Sequence, residues 1–439
     1  MSFAFLRIGE PEGEARFRFI DGVRVLCLMW ITAFHVIFYC SFFPLPAGLP
    51  KPQANALFTA WPSRWVLRGH FALDVLFVVT GFLIGYYVLV DADRGKLSYR
   101  AFLVRRLARL VPAYIAVLIL YHFTMNFNFE TVWTNLLFVN NYVPLIHQTM
   151  SWSWSLPVDV HFYFLFPLLL FFVRDRRARL FSALWLVFCA LFVVRGIVEA
   201  TAHVAPPLFA NPHGTRGEQE LFNHYFDSIY DKTHTRIGAI VCGLMVATLI
   251  RYHDAENWLV KYRGVAGAIF VVAAALAIAV LAAPVMYGEA PSFDPAWAAV
   301  YLICYNYLFA LGIAAAMLVL LSDNPLGRPI RALLSHPWWY VPSELCYGVF
   351  LLNPMVVLAL YAFIIKSPTI APGPIALYTV SAILCAFACA YVLYVLIERP
   401  FRTVGKRLAR RLEPVPRPVL APVEAMSRSP EPASAFLHD

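Results

Sequence analysis

An arginine and a histidine lie eleven residues apart in the first long apolar stretch of the chain, at Arg24 and His35. Eleven residues make about three helical turns, so both side chains share one face, roughly 16 Å apart along the axis. His35 then lies near the middle of a bilayer, where a polar side chain is costly and marks a candidate functional site. A neutral imidazole takes a proton near pH 7, which makes His35 a candidate general base below an anion-binding Arg24. Two simpler roles stay open, namely Arg24 as a topogenic anchor and His35 as a helix-packing hydrogen-bond group.

Other polar side chains lie in or beside later apolar stretches. Asp74 lies about one turn inside the second stretch and needs a partner there, because an unpaired carboxylate is costly in a membrane. Thr80-Gly81, in the same stretch, has the small side chains typical of close helix packing. Asp159 opens a later stretch, two residues before His161. Asp159 is expected to pair with an arginine, to orient His35 or to position a substrate hydroxyl.

Two arginines at the start of the third stretch, Arg106 and Arg109, are three residues apart. Residues at this spacing face one way on a helix, so the two guanidinium groups are able to hold a phosphate or pyrophosphate together. A topogenic cluster is the alternative, and composition alone favours it.

These residues must be positioned by a membrane protein. The 439 residues are 61% hydrophobic and 14% charged, whereas soluble proteins carry about 25% charged residues. Apolar runs of about 20 residues recur without the alternation of a β-barrel. The net charge of +9 is explained by basic loops on one side of a membrane, not by nucleic-acid binding. The eight cysteines form no CxxC pair, and His203, His213, His224 and His234 lack the spacing of metal ligands, so no metal is expected.

The sequence predicts an all-α polytopic protein with about ten transmembrane helices. Basic residues concentrate in alternate loops, while loops 124–153 and 284–296 hold no Lys or Arg, which places both termini in the cytoplasm. The segment 131–147 is expected to be re-entrant or interfacial, with an eleventh span as the alternative. A cytoplasmic N-terminus (1–18) and a cytoplasmic, disordered tail (406–439) would flank a transmembrane domain over 19–405. The predicted spans are 19–43, 70–90, 103–123, 154–173, 179–200, 233–251, 263–283, 297–321, 343–365 and 373–396.

Taken together, these runs resemble the membrane acyltransferase-3 superfamily of bacterial enzymes, which move acyl groups, usually acetyl, onto sugars and other small acceptors. The resemblance covers about residues 16–405. Asp159, Cys346 and Asn353 depart from the family, which usually has Glu and Ser, and often His, at these three positions. The runs that carry the resemblance are Asp21-Gly-Val-Arg24 with His35, Asp74-Val-Leu-Phe-Val-Val-Thr-Gly-Phe, Arg106-x-x-Arg109 with Pro112, Trp154-Ser-Leu-Pro-Val-Asp159-Val-His161-Phe-Tyr163, Cys346-Tyr347-Gly-Val-Phe350-Leu351 and Glu398-Arg399-Pro400.

The resemblance implies the ten-helix fold, an acyl-CoA donor (acetyl-CoA above all) on the cytoplasmic side, and His35 as the central catalytic residue, either as general base or as acyl carrier. Asp159 would set the imidazole tautomer or bind the acceptor. We expect the following further roles: Arg24, Arg106 and Arg109 bind the phosphates of acyl-CoA, and Asp74, Trp154, His161 and Tyr163 bind substrate.

The acceptor is expected to be a carbohydrate or glycolipid hydroxyl, and the enzyme to lie among the lipids of a bacterial inner membrane. A proton-coupled transporter or flippase of a glycan or lipid-linked substrate is the alternative, since intramembrane His, Asp and Arg serve transport as well. Transporters often show two related halves, and the sequence shows none.

Overall fold

The fold is a bundle of long helices, seen in a computed structural model that describes residues 15–40, 65–125, 129–172, 179–204, 216–283, 295–366 and 371–413. These residues contain no strand. We number the helices of 14 or more residues among them. They are α1 Phe19–Cys40, α2 Ala72–Asp93, α3 Tyr99–Met125, α4 Ser155–Phe172, α5 Leu180–Ala202, α6 Gly238–Tyr252, α7 Arg263–Ala282, α8 Pro295–Leu321, α9 Tyr340–Ala359, α10 Pro372–Leu393 and α11 Arg399–Leu412.

Each of the ten predicted spans overlaps one of the helices α1 to α10. Seven helical segments among the described residues are long and apolar enough to cross a membrane, and they include every one of these ten helices except α3, α4 and α6. Helix α3 carries Arg100, Arg105, Arg106 and Arg109 in its first half. Helix α6 has 15 residues, about 22 Å, and is shorter than a bilayer core of about 30 Å. The protein is therefore an all-helical, multi-pass membrane protein.

The segment between α3 and α4 contains no helix of spanning length within residues 129–154. It is built from single turns whose buried side is polar, with Asn135, Asn140 and Asn141 fully buried. Its exposed side is apolar and includes Trp133 and Ile146. This arrangement fits the predicted re-entrant or interfacial element and contradicts an eleventh helical span.

Two predicted boundaries shift. Asp74 lies in the first turn of α2, as predicted, but the membrane span that contains α2 begins earlier than residue 70, at Trp65, and includes the 3-10 turn Arg68–Phe71. Helix α11 continues past the predicted domain end at 405 to Leu412, and it packs on α3 where Gly405 approaches Ala108. The rest of the predicted tail, 414–439, lies outside the described residues, as do residues 1–14 of the predicted N-terminus.

The centre of the bundle is the contact between α2 and α6. An added Cβ on Gly81 would lie 2.0 Å from Ile240 O, and one on Gly243 would lie 2.0 Å from Val78 O. The two backbones approach this closely only because both residues lack a side chain. The prediction that Gly81 serves packing is confirmed, and its neighbour Thr80 points instead into the cavity described below.

We expect Gly81→Ala to destabilise the protein, although alanine normally favours a helix by about 0.5–1 kcal/mol over glycine. The added methyl group would force α2 and α6 apart, and overpacking of this kind typically costs about 1–3 kcal/mol. Gly264→Ala is the matched control, because that helical glycine has no atom within 4 Å of an added Cβ. Thermal unfolding in detergent measures the stability of both variants. Equal unfolding temperatures for the two variants would contradict the packing role.

Candidate active site

A cavity of about 180 Å³ lies between α1, α2, α3, α4 and α9. Its wall brings together the three arginines predicted to bind an anionic donor, and it adds a carboxylate, a phenol and a thiol. All six side chains belong to predicted site residues or to departures from the family pattern. These six are Arg24, Arg106, Arg109, Asp159, Tyr163 and Cys346, and the polar side chains of Thr80, Ser155 and Tyr347 also line the cavity.

Helical spacing explains why these side chains meet. Arg106 and Arg109 are three residues apart on α3, and Asp159 and Tyr163 are four apart on α4, so each pair faces one way. Helix α1 then adds Arg24 from a third side. Asp159 Oδ1 is buried and has no hydrogen-bond partner among the described residues. Since buried polar atoms are nearly always bonded, this oxygen is suited to receive a hydrogen bond from a bound ligand.

The cavity is elongated along the bundle. On α2 its lining runs from Ile84 to Leu73, eleven residues or about 16 Å. Its arginines lie toward the end of the bundle where α1 begins, which we call the basic end because Arg94, Arg251 and Arg331 also lie there. The other end of the cavity is lined by Leu28 of α1 and Phe350 of α9. The cavity therefore leads from a cationic mouth into the middle of the protein.

His35 lies beyond this inner end and is not one of the residues that line the cavity. It follows Leu28 by seven residues on α1, about two turns. Its ring is partly exposed, and its Nδ1 lies 2.5 Å from Oδ1 of Asn353 on α9. Asn353 in turn follows Phe350 by three residues. The helices that close the inner end of the cavity thus carry the imidazole and its partner one to two turns further on.

Acidic side chains flank the arginines at the basic end. Glu344 of α9 forms an ion pair with Arg402 of α11. Glu398 is 4% exposed and lies within electrostatic reach of Arg109 and Arg402. It ends a π-helical turn, Tyr394–Glu398, that is followed at once by Arg399 and Pro400. A proline there removes a backbone donor and disturbs the regular helix, which explains why the turn forms at this place.

Asp74 has the partner that its depth requires. Its Oδ1 is 3.2 Å from Nη2 of Arg236, with both side chains 0% exposed, and Asn306 Nδ2 donates to its Oδ2 at 2.8 Å. The guanidinium group of Arg236 also lies over the rings of Trp154 and Tyr230, 5.0 and 5.2 Å from their centroids. Asp74 and Trp154 therefore meet at Arg236, and neither of the two lines the cavity.

His161 is separated from Asp159 because residues two apart point to different sides of a helix. Its Nδ1 lies 2.8 Å from Oγ1 of Thr233, in the short helix that also carries Arg236. Of the four residues predicted to bind substrate, Tyr163 alone shares the cavity with Asp159 and the arginines.

A family profile described as an acyltransferase domain matches residues 17–395. The chain belongs to this acyltransferase family. The resemblance to the membrane acyltransferase-3 superfamily is thereby confirmed, and the protein is an acyltransferase. No solved structure matches the chain.

Curated relatives of this acyltransferase match it over shorter lengths. An uncharacterized protein of Haemophilus influenzae is 25% identical over 204 residues, which are 42% of this chain and 76% of the relative. The peptidoglycan O-acetyltransferase OatA of Listeria monocytogenes is 23% identical over 34% of this chain and 23% of its own length. The O-acetyltransferase OatA of Staphylococcus aureus is 27% identical over 26% of this chain and 22% of its own length. The chain thus spans less than a quarter of the two O-acetyltransferases.

The sequence interpretation missed several residues of the acyltransferase. Arg236 and Arg195 are 1% and 0% exposed, and each is a lone arginine in or beside a predicted span, which is the signal that could have found them. Asn353 departs from the family pattern, but its sequence context does not identify it as the partner of His35. Among the described residues, no group of three or more His, Cys, Asp or Glu is arranged to hold a metal ion.

Proposed function

We propose that this membrane acyltransferase moves an acyl group, acetyl above all, from acyl-CoA to a hydroxyl group of a cell-surface saccharide. The observation that carries the proposal is the convergence of Arg24, Arg106 and Arg109 on one elongated cavity. Its inner end lies one to two turns from His35 and Asn353 along α1 and α9. A cationic mouth and a deep imidazole are what an anionic thioester donor requires.

The three arginines fit the phosphate groups of CoA. Arginine forms charge-assisted, often bidentate hydrogen bonds to phosphate oxygens. Tyr347 and Phe350 are among the neighbours that make the deeper wall less charged, which suits a neutral pantetheine arm. Arg105 is not part of this set, because it pairs with Glu413 at 2.6 Å and lies near Asp91.

His35 would act as general base on the acceptor. The imidazole takes the proton of the acceptor hydroxyl, the oxygen attacks the thioester carbonyl, and a C–O bond replaces the C–S bond. The CoA thiolate leaves and recovers the proton from the imidazolium. In a second route the imidazole nitrogen attacks the thioester carbonyl, a C–N bond replaces the C–S bond, and CoA leaves as the thiol with the proton of the ring. The acceptor oxygen then attacks the acyl-imidazole, a C–O bond replaces the C–N bond, and the hydroxyl proton returns to the ring. The unpaired Oδ1 of Asp159 would accept a hydrogen bond from a substrate hydroxyl in either route.

The relatives support a saccharide acceptor and an acetyl group, because two of them are named O-acetyltransferases and one of these is a peptidoglycan O-acetyltransferase. We further propose ten spans, both termini in the cytoplasm and a bacterial inner membrane. The charge distribution of the loops supports this orientation. In it, the basic end of the bundle, and with it the mouth of the cavity, would face the side where acyl-CoA is made.

Purified protein in detergent or in vesicles, with radiolabelled acetyl-CoA, tests the proposal. CoA release that depends on added peptidoglycan or polysaccharide fragments, with label recovered in an alkali-labile ester, is the expected result. Transport of a glycan without thioester consumption would instead support a transporter.

We expect Arg24→Ala to raise the Michaelis constant for acyl-CoA about tenfold, because one charge-assisted hydrogen bond to phosphate is worth roughly 1.5–3 kcal/mol. The Michaelis constant for the acceptor should change little. Arg18→Ala is the matched control, since Arg18 precedes α1 on the same segment and is exposed. Steady-state kinetics with both substrates varied measure the effect. A change in the Michaelis constant for the acceptor alone would refute the proposed role of Arg24 in binding acyl-CoA.

A further inference from the structure

The hydrogen bond between His35 and Asn353 has a fixed direction. Asn353 Nδ2 lies 2.9 Å from Val349 O and 3.0 Å from Phe350 O. Both of these atoms are carbonyl oxygens and only accept hydrogen bonds. The nitrogen of the amide must therefore face them, because the opposite orientation would place Oδ1 against two acceptors. Oδ1 is left facing Nδ1 of His35 at 2.5 Å.

The residue that follows explains why one of these carbonyls is available. In a regular helix, Phe350 O would accept from the backbone N–H of residue 354, four positions later. That residue is Pro354, which has no N–H. The side chain of Asn353 supplies the missing donor. Hydrogen bonds within α9 thus hold Nδ2 of the amide in place, and its Oδ1 faces His35 on α1.

This direction determines which nitrogen of His35 carries a proton. Asn353 Oδ1 is an acceptor, so Nδ1 of His35 must donate. In the neutral ring the lone pair is then on Nε2. We infer that Asn353 is a positioning residue that fixes His35 as the Nδ1–H tautomer and leaves Nε2 as the reactive atom. The reactive role of Nε2 rests on the proposed function, whereas the tautomer does not.

The surroundings of His35 add no competing charge among the described residues. On its own helix, Tyr39 is the titratable neighbour, with ring centroids 5.4 Å apart, and Tyr121 of α3 lies near Tyr39. No Asp, Glu, Lys or Arg of the described part of the chain forms an ion pair with the imidazole. The neutral amide of Asn353 therefore sets the tautomer of His35 without stabilising a positive charge on the ring. A carboxylate in the same place would stabilise that charge.

Two variants separate this role from a structural one. Asn353→Leu removes both the acceptor for His35 and the donor for Phe350 O. Asn353→Leu/Pro354→Ala gives Phe350 O a backbone donor again but leaves His35 without its acceptor. We expect the catalytic constant to fall at least tenfold in both, since tautomer control is part of a general-base effect of about 10²–10⁴-fold. The Michaelis constant for acyl-CoA should stay within about twofold, because the arginines are untouched. Asn135→Leu, a buried amide away from His35, is the control for the loss of an asparagine.

Nitrogen-15 NMR of histidine-labelled wild-type protein reads the tautomer directly, with the His35 signals assigned by difference from His35→Gln. A protonated Nδ1 and an unprotonated Nε2 are expected. The reverse pattern, or full activity in the double variant, overturns the inference. Absence of any acyl-CoA turnover by the wild type would defeat the proposed function but leave the tautomer result standing, so the two failures are distinguishable. The spectrum of the wild type decides the tautomer even if both variants fail to fold.

Discussion

Alanine in place of His35 is expected to abolish acyl transfer, with a rate at least 10³-fold below that of the wild type, within the range of lost general-base catalysis. Without the imidazole, the enzyme lacks the group that is proposed to take the proton of the acceptor hydroxyl or to carry the acyl group. Membrane insertion should persist, because the side chain is partly exposed and its described hydrogen bond is the one to Asn353. Label transfer from acetyl-CoA, beside the amount of folded protein, measures both effects.

The control for this variant is His253→Ala, which removes an exposed imidazole after α6 at the basic end of the bundle. It should transfer label like the wild type. If His35→Ala retains activity, both routes proposed for His35 are refuted. If it loses acyl-CoA binding as well as turnover, the imidazole contributes to donor binding and not to chemistry alone.

Periodicity and apolar runs predicted the elements of this fold well, because a membrane span depends on local composition and length. The same local rules brought Arg106 and Arg109 to one face of α3 and paired Asp159 with Tyr163 on α4. The same rules separate Asp159 from His161, because residues two apart point to different sides of a helix.

Contacts between distant helices could not be predicted in this way. Asn353 lies 318 residues from His35 and Asn306 lies 232 residues from Asp74. A helical pattern gives the face on which a residue lies, but it does not give the rotation of one helix against another. The sequence could therefore require a partner for Asp74 without naming Arg236. For the same reason, control of the His35 tautomer was one of the two roles expected of Asp159, whereas Asp159 lies in the cavity and Nδ1 of His35 is bonded to Asn353.

Leucine in place of Asp74 is expected to destabilise the protein strongly, because it leaves Arg236 buried without its counter-ion. Removing one partner of a buried ion pair typically costs about 3–5 kcal/mol. Arg236→Leu should be similarly harmful. The double variant Asp74→Leu/Arg236→Leu should recover much of the loss, since two apolar side chains of similar size leave no buried charge. Glu220→Ala is the control, because Glu220 pairs with Arg216 on the surface, where ion pairs contribute little.

Thermal unfolding in detergent and kinetics with both substrates separate structure from binding at this ion pair. A structural pair predicts a large loss of stability in each single variant, partial recovery in the double variant, and normal Michaelis constants in whatever protein folds. A substrate-binding Asp74 predicts the opposite, with unchanged unfolding temperatures and a raised Michaelis constant for the acceptor. The geometry favours the first outcome: both side chains are 0% exposed, and Trp154, Tyr230 and Asn306 already surround the pair.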